Sequence, residues 1–475
     1  MMDMNLPMPN LPRQRVVIIG GGFSGAVVAL TLLDLRGETA PDITIIEPRA
    51  RVGAGLAYSA PDPAHRVNVP AVRLLVHPNE PGAFHAWLES SGAIAEDPAA
   101  ELPDGRRYPR RAVFGQYVNQ RLLQSAAAPG APPFRHLQAT ATQVTAKNGA
   151  YAITLDTGAQ ITADAVVLAV SHPPPGIPRG LAAVAHAPKF FANPWAGNIV
   201  QQIAPTDRVL IIGTALSTAD IAGSFSAAGR TNPILAISRR GLTSRERRPT
   251  QSGPFGDFST NPSRTAVTLL QTVRAVLREA PQHFSCWEAV IESLRNQGDV
   301  IWGALPEPER KRFLRHLRPY WDVHRYQLAP QLAEVMRRQT KSGQLRIEAA
   351  RITAATHQNN QFHITLRHRD TQRTETFDAI INCTGPNHAD ITQTNPALAS
   401  LAAAGLIRPD PHHLGIDTTL TANALNAAGH PTPNLYVAGP LARATFGELM
   451  GLPQVTHHAV LVGHNLAKCG VVAGV

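Results

Sequence analysis

The chain has 475 residues, too many for one small core, and its 44 lysines and arginines exceed its 34 aspartates and glutamates by 10. That basic balance favours anionic partners such as nucleotides or phosphates, while an aromatic share of only 5% argues against a surface built to stack single-stranded bases. Cys286, Cys383 and Cys469 lie far apart with no CxxC, which excludes dithiol-disulfide reductases and cysteine-rich zinc sites and suits a reduced, cytoplasmic setting.

Residues 1–12 read as a disordered Met- and Pro-rich lead without a signal-peptide core. The stretch from Val16 to Leu33, VVIIGGGFSGAVVALTLL, has the hydropathy of a membrane span. Its glycines break that reading: VVII suits a buried parallel strand, the glycines a turn, and AVVALTLL a helix. A second strand, DITIIEPR, follows, and then the Pro-rich GLAYSAPDPAHRVNVPA, expected to be an ordered loop. Residues 139–170 alternate like antiparallel strands and close on the apolar DAVVLAV; SHPPPGIP, Ser171 to Pro178, is a boundary. DRVLIIGTALSTADIAGSF then repeats strand, small-residue turn and helix, with PILAISRRG as the next strand. Arginine-rich helical patterns fill about 243–343, an insertion. Strand patterns return up to DAIINCTGP, and NLYVAGP and a last helix near Val455 to Cys469 end the chain. Such alternation predicts an α/β fold with two Rossmann-like dinucleotide-binding domains and a helical insertion.

Gly20, Gly22 and Gly25 form a GxGxxG turn. The first permits the tight turn, the second lets a pyrophosphate approach the backbone, and the third lets helix and strand pack closely. Glu47 ends the next strand about 20 residues on, where a ribose-binding acid belongs. The competing reading is a glycine-bearing turn with a chance glutamate. In the second unit, Gly213, Thr214 and Ser217 occupy the corresponding turn, with Ala215 in place of the second glycine. Arg239 and Arg240 end the following strand and suit the 2′-phosphate of NADPH, against the alternative of a solvated basic strand end. RFLRHLRPYWDVHR, Arg312 to Arg325, reads as an amphipathic helix broken or kinked near Pro319, with Phe313, Leu314, Leu317 and Trp321 inward and its arginines solvated. The alternatives are arginines that contact nucleic-acid phosphates, or that face a cleft and pair with a phosphate or an acidic substrate. His172, His324 and Cys383 are tempting as catalytic groups but more often structural at such positions. No GxSxG, HExxH or Walker A pattern is present.

GGGFSGA with IIEPR, DAIINCTGP and NLYVAGP resembles the flavoproteins with two dinucleotide-binding domains. GLAYSAPDPAHRVNVPA, YPRRAVFGQYV, SRRGL, RFLRHLRPYWDVHR and INCTGP resemble, over nearly the whole chain, a bacterial family of FAD/NAD(P)-binding proteins. That family is distantly similar to class B flavin monooxygenases and amine N-hydroxylases. The resemblance implies FAD held by Gly20, Gly22, Phe23, Ser24 and Gly25 at the pyrophosphate and Glu47 at the ribose. Arg49 would lie near the adenosine, and Tyr58, Asn68 and Val69 would run toward the flavin. Val144 would touch the adenine through its backbone, and Gly439 and Pro440 the flavin, with Glu448 and Gln454 nearby. The chain departs from the wider class at Pro440, where many relatives carry aspartate, at Ala169-Val-Ser171-His172, and at Ala215.

The implied organisation is an FAD domain in two parts, 13–172 and 386–475, around an NADPH domain at 173–385. The expected activity is a monooxygenase in which NADPH reduces FAD and a flavin C4a-hydroperoxide oxygenates a small-molecule amine, sulfur or ketone, with molecular oxygen as co-substrate. Metals, nucleic acid and membranes have no place in that expectation, and catalytic side chains beyond the cofactor contacts stay unassigned. An FAD-dependent NAD(P)H reductase without oxygen insertion shares every cofactor motif. A nucleotide-sensing or nucleic-acid-binding protein that keeps the fold is a third alternative.

Overall fold

Short runs rich in β-branched residues and leucine dominate the interior, and their burial on both faces makes them parallel-sheet centres. The computed structural model describes residues 13–37, 40–249 and 253–472, with side chains to Lys468. The expected disordered lead and the Cys469 thiol lie outside the described residues.

The first sheet has the strand order Asn423–Leu425, Pro431–Val437, Ala165–Leu168, Arg15–Ile19, Asp42–Ile46, Phe134–Leu137. Arg15–Ile19 pairs in parallel with both neighbours, Val16 opposite Ile43 on one side and Ala165 on the other. Only the edge strand Asn423–Leu425 runs antiparallel. The second sheet is wholly parallel, in the order Leu345–Ala349, Ile234–Ser238, Val209–Ile212, Ala379–Asn382, Phe190–Phe191. Each sheet carries the same crossover, a three-stranded antiparallel meander (Ala141 to Ala163 in one, Arg351 to Phe377 in the other). Each meander returns the chain to the strand beside its first one. The chain therefore leaves the first sheet after Leu168, builds the second, and comes back at Asn423 to finish the first.

The helix Phe23–Leu33 is buried along its length apart from Ser24. It lies against the helices Gln454–Val472 and Arg111–Ala126, which is why its sequence is apolar all round without spanning a bilayer. Among the described residues no helix is long and apolar enough to cross a membrane.

The helical insertion is shorter than expected. Helices run from Ala266–Glu279 to Arg318–Arg325 around their own core, where Phe258, Leu269, Val290 and Trp302 meet Leu414 and Ala444. The next helix, Pro330–Lys341, packs instead on Leu216–Ala227 and Leu345–Ala349, as part of the second sheet's cover. The motif expected to be broken or kinked near Pro319 is broken into two helices, Glu307–His316 and Arg318–Arg325. The break falls at Leu317, with Pro319 in the first turn of the second helix, where its missing N–H is not needed.

Candidate functional site

Two turns at the carboxyl ends of the two parallel sheets form the candidate site. In the first, Gly20 has φ +102°, and a Cβ there would collide with the Ala169 carbonyl. A Cβ on Gly25 would collide with the Gly20 carbonyl oxygen. At Gly22 the nearest atom to an added Cβ is the Gly55 Cα, 3.4 Å away. Room is thus left above the second glycine alone, where a pyrophosphate must approach. The helix that starts there, Phe23–Leu33, has neither a side-chain cap nor an acid in its first turn. Its leading N–H groups fit an anion.

Glu47 stands at the end of the next strand, 3% exposed. Its Oε2 accepts from the Gly21 N–H at 3.0 Å, and its Oε1 accepts from the Arg49 backbone at 3.1 Å and guanidinium at 2.9 Å. Gly439, with φ +82°, closes on the same turn, since a Cβ there would meet the Ser24 hydroxyl. Its N–H donates to His458 Nδ1 at 3.2 Å, and Pro440 starts the short helical turn behind it. Phe23 contributes only backbone to the turn, because its ring packs with Tyr58 and Phe114, centroids 6.1 and 5.8 Å away. Asn68 and Val69 follow in the loop, the Asn68 carbonyl accepting from Arg247 Nε at 3.0 Å.

The second turn repeats the first with substitutions. Gly213, φ +124°, abuts the Cys383 carbonyl as Gly20 abuts Ala169. Where Gly25 stands in the first turn, Thr218 stands here, and its hydroxyl bonds the Gly213 carbonyl at 2.9 Å. Ala215 occupies the open position and is exposed, so a methyl projects where Gly22 leaves space. The helix Leu216–Ala227, which carries Ser217, again lacks a side-chain cap and a first-turn acid. Arg239 and Arg240 are exposed just past the strand Ile234–Ser238, and neither has a carboxylate partner among the described residues.

Several of the expected positions have partners within the protein. The Val144 N–H donates to Ser400 Oγ at 2.8 Å, and the residue is fully buried. The Thr214 hydroxyl faces inward, on Ser238 Oγ at 2.9 Å. Glu448 and Gln454 join buried arginines rather than the glycine turn: Arg325 Nε donates to Glu448 at 2.7 Å and Arg295 Nη2 to Gln454 at 2.7 Å. Cys383 is no nucleophile, since burial pushes its thiol far above the ordinary range. His324 is tied to the Tyr320 carbonyl at 2.7 Å and meets the Trp287 ring edge-on.

The two units are joined by a pair that no motif announced. Arg111, at the start of Arg111–Ala126, grips Asp220 of Leu216–Ala227 through both carboxylate oxygens, at 3.0 and 2.8 Å. Asp220 is 1% exposed. His172 and His388, at the strand end and in the return to the first sheet, meet edge to face at 5.0 Å. Burial and the charge of Arg443 hold His388 well below the ordinary histidine value, and burial pushes His458 down to about 4. A neutral His458 suits the bond it accepts from Gly439. Both imidazoles are neutral when folded, so the unfolded chain takes up protons first as pH falls. Their contribution to stability is complete above about 6.5 and is lost below it by about 1.4 kcal/mol per pH unit for each histidine, down toward about 4 for His458 and further into acid for His388. Urea titrations between about pH 6.5 and 4 are expected to show the loss, and His458→Asn should lessen its slope by about 1.4 kcal/mol per pH unit.

Residues 17–173 match the model of an FAD-NAD(P)-binding family. No curated protein matches the chain. Among solved structures it is similar to an ornithine hydroxylase of Pseudomonas aeruginosa, at 15% identity and TM-score 0.62, over 96% of this chain and 99% of that one. It is likewise similar to an ornithine N-hydroxylase of Kutzneria sp. 744, solved with reduced FAD, NADP⁺ and L-ornithine, at 15% identity and TM-score 0.63, over 98% of this chain and 100% of that one. A bacillithiol disulfide reductase of Bacillus cereus aligns at 13% identity and TM-score 0.53, over 98% and 100% of the two chains. At these identities the shared property is the fold.

Proposed function

We propose that the protein is an FAD-dependent, NADPH-using monooxygenase that oxygenates a small-molecule amine, sulfur or ketone. The observation that carries this reading is the pair of uncapped glycine turns, set at the carboxyl edges of two sheets with the same crossover. Similarity to flavin N-hydroxylases over nearly the full length supports it. In this reading 13–172 and 386–475 hold FAD and 173–385 holds NADPH.

FAD would sit with its pyrophosphate on the backbone of Gly20, Gly22, Ser24 and Gly25, its ribose on Glu47 and its adenosine near Arg49. Tyr58, Asn68, Val69, Gly439 and Pro440 would border the rest. The bound flavin supplies the redox chemistry, accepting electrons from the nicotinamide and passing them to oxygen. The chain's own part is to orient both cofactors and to keep water out, which needs no triad of catalytic side chains. NADPH would lie on Gly213 and Ser217, with its 2′-phosphate on Arg239 and Arg240.

Replacing Arg239 and Arg240 by alanine is expected to raise the KM for NADPH about 10-fold or more, from the loss of charge-assisted bonds of about 1.5–3 kcal/mol, and to leave that for NADH nearly unchanged. Steady-state kinetics with both nicotinamides checks this.

The reductase alternative keeps one supporting observation, the likeness to a disulfide reductase; the buried Cys383 and the lack of a CxxC remove its dithiol branch. The test is to reduce the FAD-loaded protein with NADPH anaerobically, admit oxygen with a panel of amines, sulfides and ketones, and assay product and peroxide. Product carrying one added oxygen, with less peroxide, supports the monooxygenase. Peroxide as the sole outcome across the panel moves the assignment to the reductase, and no reduction by either nicotinamide removes the NADPH site.

A further inference from the structure

The insertion encloses a cavity of about 890 Å³, at the upper end of the roughly 300–1,000 Å³ of small-molecule sites. Its wall is mainly apolar and aromatic, with Leu269, Ile301, Trp302, Leu314 and Trp321 among the lining residues, and Glu448, already paired with Arg325, among its charged ones. Most of these side chains come from helices that cover neither sheet, so the cavity is a feature of the insertion and not a leftover between the nucleotide units.

At one side of this apolar space stands a cation without a counter-ion. Arg443 is 5% exposed and lines the cavity. Among the described residues its Nε has no hydrogen-bond partner, and its Nη1 meets only the Met450 sulfur, at 3.1 Å. Asp322 and Asp410 lie within electrostatic reach, but both are engaged elsewhere. Asp322 pairs with Arg318 at 3.4 Å, and Asp410 accepts the N–H groups of His412, Leu414 and Gly415. Burial pushes the Arg443 guanidinium down to about 10, still charged at neutral pH. A buried, unpaired charge destabilises a fold unless something pairs with it, and a guanidinium presents the fork that matches a carboxylate. Arg443 also follows Gly439 by four residues, and a Cβ on Gly439 would meet Ser24, so the segment that carries the cation begins at the first glycine turn.

We propose that this cavity binds an amphipathic carboxylate, its head on Arg443 and its apolar body among Trp302, Leu314 and Trp321. Naming that ligand the substrate rests on the monooxygenase reading; the binding does not.

The test titrates the FAD-loaded protein with dodecanoate and with dodecan-1-ol, read by tryptophan fluorescence, since Trp302 and Trp321 line the space. Dodecanoate is expected to bind about tenfold tighter than the alcohol. Arg443→Met should abolish that preference, retain FAD and melt at a higher temperature than the parent, because it removes an unpaired buried charge. Leu314→Trp, which fills the cavity and leaves the cation alone, should weaken both ligands. Equal binding of acid and alcohol to the parent protein overturns the proposal, as does an Arg443→Met protein that keeps the preference. Loss of FAD from Arg443→Met also overturns it, because the arginine would then serve the cofactor. Preferential binding of dodecanoate without any change in NADPH oxidation supports the carboxylate site while removing its role as the substrate site, so the two readings fail separately.

Discussion

Gly22→Ala is expected to yield a folded protein that has lost most of its FAD, whereas Gly25→Ala yields little folded protein at all. The two glycines stand in one turn, and the difference lies in what a methyl group would meet. At Gly25 it would fall on the Gly20 carbonyl oxygen, backbone that cannot swing aside. Helix Phe23–Leu33 would then have to move off the strand Arg15–Ile19 that it covers, at the centre of the largest core. At Gly22 the same methyl meets only Gly55 Cα at 3.4 Å, and φ is −71°, which alanine adopts freely. The fold accepts it, but the methyl occupies the approach to the uncapped helix N-terminus, where a pyrophosphate would lie. A loss of about 2–3 kcal/mol, or roughly 30- to 150-fold in FAD affinity, is expected. Flavin content after purification, apoprotein titration with FAD and far-ultraviolet circular dichroism distinguish the two variants. Normal FAD content in Gly22→Ala would refute the placement of the cofactor on this turn.

The contrast also marks what can be read along a chain. VVIIGGGFSG carries its own explanation, because each glycine serves a backbone clash or opening within a few residues or with the adjacent strand. The echo in DRVLIIGTALST was legible for the same reason, and the structure adds that Thr218 replaces the third glycine by hydrogen-bonding the turn. The arginines are different. Arg239, Arg295, Arg325 and Arg443 look alike in sequence, since an arginine's environment is decided by elements far away. Arg239 is exposed, while Arg295 and Arg325 are buried against a loop more than a hundred residues on. The Arg111–Asp220 clasp was hidden for that reason too, as was the Ser400 hydroxyl that takes the Val144 N–H. Pro319 was legible as the place of a break or kink, and what the sequence left open is which: the chain breaks at Leu317 and uses the proline in the first turn of a new helix.

The buried arginines lead to the second large effect, at Glu448. Its side chain is 7% exposed and lies between those of Arg325 and Arg295, 4% and 2% exposed. Arg325 ends the helix Arg318–Arg325 and Arg295 belongs to Trp287–Asn296, so one carboxylate fastens two helices of the insertion to the loop before Gln454–Val472. Arg295 reaches the same loop again through Gln454 and the Leu452 carbonyl. Glu448→Gln keeps the shape and removes the charge. Arg325 then has no carboxylate, Arg295 keeps only Glu292 at 3.8 Å, and Arg73 already draws on that same glutamate. Breaking a buried pair from one side costs about 3–5 kcal/mol, mostly from the charge left behind, whereas removing both partners is often neutral. Glu448→Gln is therefore expected to lose about 3 kcal/mol or more in urea unfolding, with early proteolysis between residues 266 and 325. Adding Arg325→Met should restore most of the loss. Because the insertion walls the cavity, its loosening should also admit water, so that NADPH oxidation by the single variant yields more peroxide than in the parent. A single variant as stable as the parent, or a double variant less stable than the single one, would show that Glu448 does not clamp the insertion in place.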